Sequence, residues 1–253
     1  MDTVDVVDAH CHLYPESNTH ALLEQMDTAS VDVAVIVAVA PHNVDKTQQY
    51  NEFIADTTKT FPDRFIGFGS VHPKTGEKAV QELERFPDLG LKGVKLHPVK
   101  QGFQCDIPEM DAISKKCEDL GLPILVHSYF PYNVLESERL YRCVVDHPDT
   151  IYILAHMGGH RFLDCLPYCA RRKEGIHNVY FEVSSTAVMI KRSPFTEQLK
   201  WIIKQMGTDR VVFGSNYPTY DLVDALSAVD DLGLSFKESQ HILGRTLYAL
   251  LLM

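Results

Sequence analysis

Residues 4–16 read VDVVDAHCHLYPE, an apolar, β-branched segment that runs directly into two histidines. Such a run predicts a β-strand over residues 4–10. Side chains alternate faces along a strand, so His10 and His12 lie on one face and Cys11 lies on the other. Two imidazoles at that spacing can bind one metal ion. The segment therefore predicts a first strand whose end carries a pair of metal-binding histidines.

Seven further strand-like segments follow at intervals of about 30 residues, the length of one β-α unit. They are residues 31–39, 64–71, 90–97, 122–128, 151–157, 179–185 and 210–216. The stretches between them place apolar residues at three- and four-residue steps, as amphipathic helices do. Eight alternating units in 253 residues predict an α/β fold, a single (β/α)8 TIM barrel over residues 1–253 with its active site at the C-terminal ends of the strands.

The structural rival is an open, doubly wound sheet. That fold normally has a glycine-rich turn after its first strand. Here the corresponding place holds AHCHLYPE. The barrel is therefore the preferred architecture.

The amino-acid composition indicates which kinds of binding partner the protein has. The net charge is -10, which argues against nucleic acid because phosphate binding needs clustered Lys and Arg. The N-terminus lacks a basic start followed by an apolar run, and no apolar stretch approaches the ~20 residues of a membrane span. The six cysteines form no C-x-x-C pair, which favours free thiols. We expect a cytoplasmic protein with a small-molecule substrate and no membrane partner, and a homo-oligomer stays open.

Histidines gather at one edge of the predicted barrel. Six of them end or directly follow predicted strands: His10, His12, His72, His97, His127 and His156. Any one of them could simply pack against its own loop. Catalytic groups of parallel barrels lie at the C-terminal ends of the strands, so six histidines there predict an active site with a divalent metal.

Several of these segments resemble a known family. VDAHCHLYPE, GLKGVKLHP, LGLPILVHS, ILAHMGGH, NVYFEVSS and DRVVFGSNYP, in this order over nearly the whole chain, are similar to the amidohydrolase superfamily. The closer resemblance is to its amidohydrolase-related branch, which includes metal-dependent hydrolases and decarboxylases. The resemblance is specific for the family and uninformative about the substrate.

The resemblance implies roles for individual residues. His10, His12 and His127 would bind the metal, with Asn216 as a fourth ligand, and Zn²⁺ is the expected ion, with Mn²⁺, Fe²⁺ or Co²⁺ as alternatives. His156 would polarise the substrate or move a proton, and could instead ligate a second ion.

Other residues at the mouth are candidates for substrate binding. His97 would form the floor or wall of the pocket. Arg161 could hold a substrate carboxylate in a bidentate fork. Tyr129 and Tyr217 would form part of an aromatic mouth, although ordinary loop packing is equally open. Lys95 shares a face with His97, and an interior salt bridge is expected there rather than the carbamylated, metal-bridging lysine of binuclear relatives.

The chain departs from the family pattern at the predicted eighth strand. The family motif reads G-S-D-x-P, whereas residues 214–218 read GSNYP. The Asp of the motif is expected to bind the metal and to accept a proton from metal-bound water. Asn216 offers a carbonyl oxygen but cannot act as a base. The loss of a general base typically costs 10²–10⁴-fold in rate, on the order of 3 to 5 kcal/mol.

Three explanations of Asn216 stay open. Another group could be the base, with His156 the leading candidate and Asp221 a remote one. The Asn could be a deliberate substitution that traps a ligand. The protein could also bind its ligand without turning it over.

These residues support three hypotheses for function. The leading one is a metal-dependent hydrolase of a small amide, lactone or related acyl compound, acting through metal-activated water, with His156 and Asn216 as catalytic residues. The alternative is a metal-dependent decarboxylase of an aromatic or unsaturated carboxylic acid, which Arg161 and the aromatic mouth motivate. The third is a catalytically weakened binding protein, which Asn216 motivates.

Overall fold

A computed structural model describes residues 6–40, 43–175 and 177–251 of the chain. Eight parallel strands follow one another around one sheet in chain order. They are β1 (Val7–His12), β2 (Val33–Val37), β3 (Phe65–Ser70), β4 (Val94–Leu96), β5 (Ile124–His127), β6 (Tyr152–Ala155), β7 (Val179–Glu182) and β8 (Val211–Val212). Residues 4 and 5 of the first predicted strand lie outside the described residues. The predicted (β/α)8 barrel is confirmed.

Helices lie between successive strands and also follow the last strand. They are α1 (Thr19–Ala29), α2 (Val44–Thr60), α3 (Glu77–Glu84), α4 (Phe86–Leu89), α5 (Pro98–Gln101), α6 (Glu109–Leu120), α7 (Val134–Asp146), α8 (Leu166–Lys173), α9 (Ser184–Ile190), α10 (Thr196–Met206), α11 (Leu222–Asp230), α12 (Phe236–Gln240) and α13 (Thr246–Leu251). Short 3-10 segments cover Pro73–Thr75, His156–Cys165 and Thr208–Arg210, and a π-turn covers His241–Arg245.

The barrel closes through irregular backbone after β8. The N–H of Ala9 donates to the carbonyl of Phe213 at 2.9 Å, and the N–H of Asn216 donates to the carbonyl of His10 at 2.8 Å. The predicted strand 210–216 is shorter than expected: β8 ends at Val212, and the N–H of Phe213 donates to the carbonyl of Ile242 instead of to a strand. The backbone then turns at Asn216, whose φ is 60°. Asn tolerates this left-handed conformation better than most residues. Closure therefore holds Asn216 directly against the first strand.

The structure also shortens two other predicted strands. The predicted strand 179–185 stops at Glu182, and Ser184 and Ser185 begin α9 instead. The backbone N–H of Ser184 donates to the Glu182 carboxylate, which turns the chain into the helix. The predicted strand 90–97 is reduced to β4 because Gly90, with φ of 78°, ends α4 first.

The core has two layers separated by the strands. The larger cluster packs the outer faces of the strands against the helices. The smaller cluster fills the barrel and joins Val7 and Val35 to Leu247 and Leu250 of α13. Since Val7 opens β1, the final helix closes the end of the barrel opposite the strand-end histidines. The polar site is thus confined to the other end.

All six cysteines are free thiols, as predicted, and five of them are buried. Within the described ranges, no helix combines the length and the apolar character that crossing a bilayer requires.

Candidate active site

Five imidazoles from four strand ends form a continuous cluster at the barrel mouth. The ring centres of His10 and His12 are 4.9 Å apart, and those of His10 and His156 are 5.0 Å apart. The rings of His127 and His156 are 4.9 Å apart, and His97 stacks on His127 at 3.9 Å. The structure therefore brings together histidines that are up to 146 residues apart in the sequence (residues 10 and 156).

Glu182, at the end of β7, orients His10. The Nδ1 atom of His10 lies 2.9 Å from Glu182 Oε2, and both side chains are fully buried. A carboxylate can only accept, so Nδ1 carries the proton and Nε2 carries a lone pair. Carboxylates that hold histidines in this way are typical of metal sites. Asp8, on the same strand, accepts from the backbone N–H groups of His10 and Ser215, each at 2.9 Å.

The lone pair of His10 faces two groups. His12 Nε2 lies 3.2 Å from His10 Nε2. Two nitrogens bound to one tetrahedral ion at about 2.1 Å would be about 3.4 Å apart, so this spacing fits shared coordination. Lys95 Nζ also lies 2.9 Å from His10 Nε2 and donates to it. An ion at His10 would therefore take the lone pair to which Lys95 donates.

His127 supplies a further nitrogen. Its Nε2 donates to the carbonyl of Tyr129 at 2.7 Å, which leaves Nδ1 as the lone-pair atom. Within the described part of the chain, this Nδ1 is buried and has no hydrogen-bond partner. A buried unpaired acceptor normally costs stability. A bound cation would satisfy it.

Burial keeps the cluster uncharged. It lowers the pKa of His127 to about 3, with the charge of Lys95 adding to the effect. Burial and neighbouring charges also lower the pKa values of His10, His12 and His156 far below the usual value. Neutral imidazoles are the form that binds metal ions.

Glu182 and Lys95 are the buried charges beneath the histidines. Burial raises the pKa of Glu182, and the hydrogen bonds from Ser184 and His156 together with the charge of Lys95 oppose that rise. Burial lowers the pKa of Lys95, and the charge of Glu182 opposes it. Among the described residues, Lys95 donates to His10 Nε2 and forms no direct ion pair with Glu182, so a contact through His10 replaces the salt bridge expected from the sequence.

The metal ligands expected from the sequence are only partly grouped. Among the described residues, His10, His156 and Glu182 place three possible ligand atoms within 4.8 Å of one another, and His12 and His127 are outside that group. Glu182 also accepts hydrogen bonds from Ser184 and from the backbone of His156, so its natural role is to support ligands. The donor chemistry fits a divalent ion on the lone pairs of His10 and His12, near that of His127.

Asn216 and His156 share a network of serines. Asn216 Nδ2 donates to Ser185 Oγ at 3.2 Å. Ser185 Oγ and Ser184 Oγ each lie 3.1 Å from His156 Nδ1. His156 itself has φ of 67° and opens a run of left-handed backbone that ends at Gly159. Asn216 is therefore connected to His156 by a single hydroxyl group.

Each residue that the sequence predicts to bind substrate contacts another residue of the protein. Arg161 pairs with Asp164 at 2.7 Å. The hydroxyl oxygen of Tyr129 lies 3.1 Å from His160 Nδ1 and forms a hydrogen bond with it. Tyr217 is half-buried and contributes its backbone carbonyl to barrel closure, accepting from the N–H of His12. His97 caps α5 through Nδ1, which accepts from the N–H of Lys100 at 3.2 Å.

A cavity lies beside the cluster, and His127 is the histidine of the cluster that lines it. Its volume is about 790 Å³. Phe103, Ile107, Tyr129 and Phe130 are among its apolar lining residues. Its size and lining suit a flat, largely apolar small molecule.

Sequence reasoning missed two residues. Glu182 is an acidic residue at the end of an apolar strand, and the rule that found the histidines would have found it. Lys100 has no such signal, because it lies on the short helix α5. Its Nζ donates to Tyr14 Oη at 2.7 Å and lies 4.7 Å from that ring centre. Tyr14 Oη is in turn 3.5 Å from His12 Nδ1.

Comparisons with known proteins agree with this geometry. The family model described as "Amidohydrolase" matches residues 7–245. A 2-amino-3-carboxymuconate-6-semialdehyde decarboxylase of Dictyostelium discoideum is 29% identical over 128 residues, which cover 47% of this chain and 35% of that protein. The match thus spans about a third of that relative's length.

Similar solved structures cover the whole barrel. A 2,6-dihydroxybenzoate decarboxylase in complex with 2,6-dihydroxybenzoate superposes with a TM-score of 0.78 at 17% identity, over 99% of this chain and 100% of that one. A dihydroxybenzoic acid decarboxylase of Polaromonas sp. JS666, with bound manganese and 2-nitroresorcinol, gives 0.76 at 17% identity, over 98% and 97%. At these identities the likeness shows the fold.

The leading expectation of a hydrolase of an amide, lactone or related acyl compound is contradicted by these comparisons. The curated relative is a decarboxylase, and the comparisons favour the alternative reading instead. Asn216 is consistent with this correction, because it cannot accept the proton of a metal-bound water molecule as the Asp of the family motif is expected to do.

Proposed function

This chain belongs to the amidohydrolase family, and on that premise we propose that it is a metal-dependent decarboxylase of an aromatic or unsaturated carboxylic acid. The observation that carries the proposal is the character of the mouth. It offers imidazole lone pairs for an ion, while Asp8 and Glu182, the carboxylates that contact His10, are fully buried beneath it. Decarboxylation requires no nucleophilic water, so the missing base at residue 216 does not prevent it.

The ion and the protein residues would have different roles in the reaction. A bound divalent ion would supply positive charge that holds substrate oxygens and stabilises negative charge as it develops. The bond from the carboxylate to its carbon breaks, CO₂ leaves, and the electron pair stays on that carbon until a proton from solvent replaces the carboxylate. Glu182 holds His10 with its lone pair toward the mouth, and the apolar cavity lined by His127 would receive the substrate.

We place the ion on His10 and His12, with His127 the third candidate ligand. Neutral imidazoles suit Zn²⁺, and Mn²⁺ is the alternative. Elemental analysis of the purified protein identifies the ion. Removal of the ion by a chelator should abolish turnover, and replacement of Zn²⁺ or Mn²⁺ should restore it.

Lys100 is linked to His12 through Tyr14, and we propose that it holds a second anionic group of the substrate. Arg161 is paired with Asp164, whereas Lys100 forms no ion pair with any carboxylate of the described residues. An unpaired ammonium near His12 attracts an anion to the mouth of a chain whose net charge is -10. The preferred substrates therefore carry a carboxylate or phenolate in addition to the carboxylate that leaves.

The test is product analysis with carboxyl-¹³C-labelled hydroxybenzoic acids and unsaturated dicarboxylic acids. We expect labelled CO₂ and, in D₂O, one deuterium on the carbon that carried the carboxylate. Amide, ester and lactone substrates form the comparison panel. Net addition of water to any of these, with no CO₂ from the acids, would exclude the proposal.

A further inference from the structure

We propose that Asn216 determines the tautomer of His156 through Ser185, so that Nε2 of His156 carries the proton and donates a hydrogen bond to an anionic substrate oxygen. The tautomer follows from hydrogen-bond geometry alone. Only the identity of the oxygen, a carboxylate or phenolate, rests on the proposed function.

Ser184 cannot supply a proton to His156. Its hydroxyl donates to Glu182 Oε2 at 3.0 Å. That carboxylate also accepts from His10 Nδ1, from the N–H of His156 and from the N–H of Ser184. Since a carboxylate that receives four donors acts only as an acceptor, the single proton of Ser184 is committed to it. Ser184 can therefore accept from His156 Nδ1 but cannot donate to it.

Ser185 has the opposite role because of Asn216. The amide Nδ2 of Asn216 can only donate, so the hydroxyl oxygen of Ser185 accepts at that contact of 3.2 Å. The proton of Ser185 then has His156 Nδ1, at 3.1 Å, as its acceptor. Ser185 is buried, and a buried hydroxyl proton without an acceptor would cost about 1–3 kcal/mol. Donation from Ser185 leaves Nδ1 unprotonated and puts the ring proton on Nε2.

Glu182 does not reverse this assignment. Its Oε2 lies 3.9 Å from His156 Nδ1, beyond hydrogen-bond distance. On the far side of the ring, Nε2 takes no hydrogen bond from the residues that the structure describes. It is therefore available to a ligand at the mouth.

An Asp at residue 216 would reverse the chain of hydrogen bonds. A carboxylate there would accept the proton of Ser185, and Ser185 would then accept from His156 Nδ1. The ring proton would move to Nδ1 and leave a basic lone pair on Nε2. Asn216 thus excludes His156 as the base for a water molecule at Nε2 and makes it a donor to an anion.

The test uses the full chain labelled with ¹⁵N-histidine, both metal-free and loaded with Zn²⁺, which is diamagnetic. Two-bond ¹⁵N–¹H correlation spectra distinguish the two neutral tautomers. The chain has 12 histidines, and the signals of His156 are assigned as those lost in His156→Asn. Asn is chosen because it tolerates the positive φ of residue 156.

Two neighbouring serines provide the matched comparison. Ser185→Ala and Asn216→Asp should each move the ring proton from Nε2 to Nδ1, whereas Ser184→Ala and Ser185→Thr should leave it on Nε2. Both serines lie 3.1 Å from Nδ1, so a general packing effect predicts the same result for both alanine variants. Circular dichroism confirms that each variant is folded.

A second readout concerns the ligand. Ser185→Ala should weaken the binding of benzoate about tenfold, the loss of one hydrogen bond to a charged group, while Zn²⁺ affinity stays unchanged. The inference is overturned if wild-type His156 carries its proton on Nδ1, if the two alanine variants give the same tautomer, or if Zn²⁺ binds His156 directly. Absence of CO₂ release would overturn the proposed function and leave the tautomer result standing.

Discussion

Replacing Glu182 by Gln tests whether a buried carboxylate supports the metal site. Gln has nearly the same shape but no charge. The structure predicts which of the two carboxylate oxygens the amide oxygen of the glutamine would replace. Three donors point at Oε2, from His10, His156 and the Ser184 hydroxyl, and one points at Oε1. The amide oxygen should therefore take the place of Oε2, because the opposite orientation would leave three donors facing an NH₂ group.

The expected size of the effect follows from that orientation. His10 keeps its acceptor and its tautomer, but a charge-assisted hydrogen bond becomes a neutral one of roughly half the strength. Loss of such support typically lowers metal affinity 10–100-fold, and we expect the lower end, about tenfold, equivalent to about 1.4 kcal/mol. The N–H of Ser184 loses its acceptor, which should reduce the free energy of unfolding by about 1–3 kcal/mol.

The assay is a chelator-competition titration of Zn²⁺ together with urea unfolding of the metal-free protein. Glu82→Gln is the matched control. Glu82 is also buried and accepts from Gln48, Asn51 and Arg85, but it lies on α3 outside the barrel. The control should lose stability without losing Zn²⁺ affinity. Equal Zn²⁺ affinity in wild type and Glu182→Gln would refute the role of Glu182.

Three further predictions concern the substrate, the backbone and pH. Lys100→Gln should raise KM for substrates with a second anionic group about tenfold and leave kcat within about twofold. Lys200→Gln, whose ammonium also donates to a single oxygen, the carbonyl of Gly233, and does not line the cavity, should change neither. Equal KM for both variants would reject the role of Lys100. Gly159→Ala should lower the free energy of unfolding by about 3 kcal/mol, because φ is 63° and a Cβ would lie 2.2 Å from the ring of Tyr129. Gly158→Ala, where φ is 79° and no atom lies near the added Cβ, should lower it by only about 1 kcal/mol. Urea unfolding measures both losses, and equal losses would contradict the predicted clash with Tyr129. Burial lowers the pKa of His127 from 6.5 in the unfolded chain to about 3, so its contribution to stability is complete above pH 6.5 and is lost as the pH falls toward 3. In the metal-free protein, the free energy of unfolding should therefore rise with pH over this range, and His127→Gln should reduce that slope by up to about 1.4 kcal/mol per pH unit. An unchanged slope would refute this assignment.

Much of the fold and part of the site followed from local pattern. The period-two alternation of a strand placed His10 and His12 on one face, and the structure has their Nε2 atoms 3.2 Å apart. The rule for parallel barrels placed His97, His127 and His156 at the same edge. These inferences worked because strand periodicity and barrel topology are repeating properties that a few residues reveal.

The misplaced boundaries have a different origin. Ser184 and Ser185 were assigned to a strand because FEVSS continues an apolar run. The hydrogen bond from the N–H of Ser184 to Glu182 ends the strand three residues earlier, at Glu182. Arg161 shows the same limit at the surface, since its pairing with Asp164 depends on a local turn that the sequence pattern did not indicate.

By itself, the sequence determined the barrel, the edge at which its chemistry lies, and the residue types gathered there. Only the tertiary structure decided which nitrogen of each imidazole carries a proton. That choice depends on partners such as Glu182, which is 172 residues from His10 and reaches it only when the sheet closes. A proton on a ring is placed by the acceptor within about 3 Å, and such distances between remote residues are properties of the closed barrel.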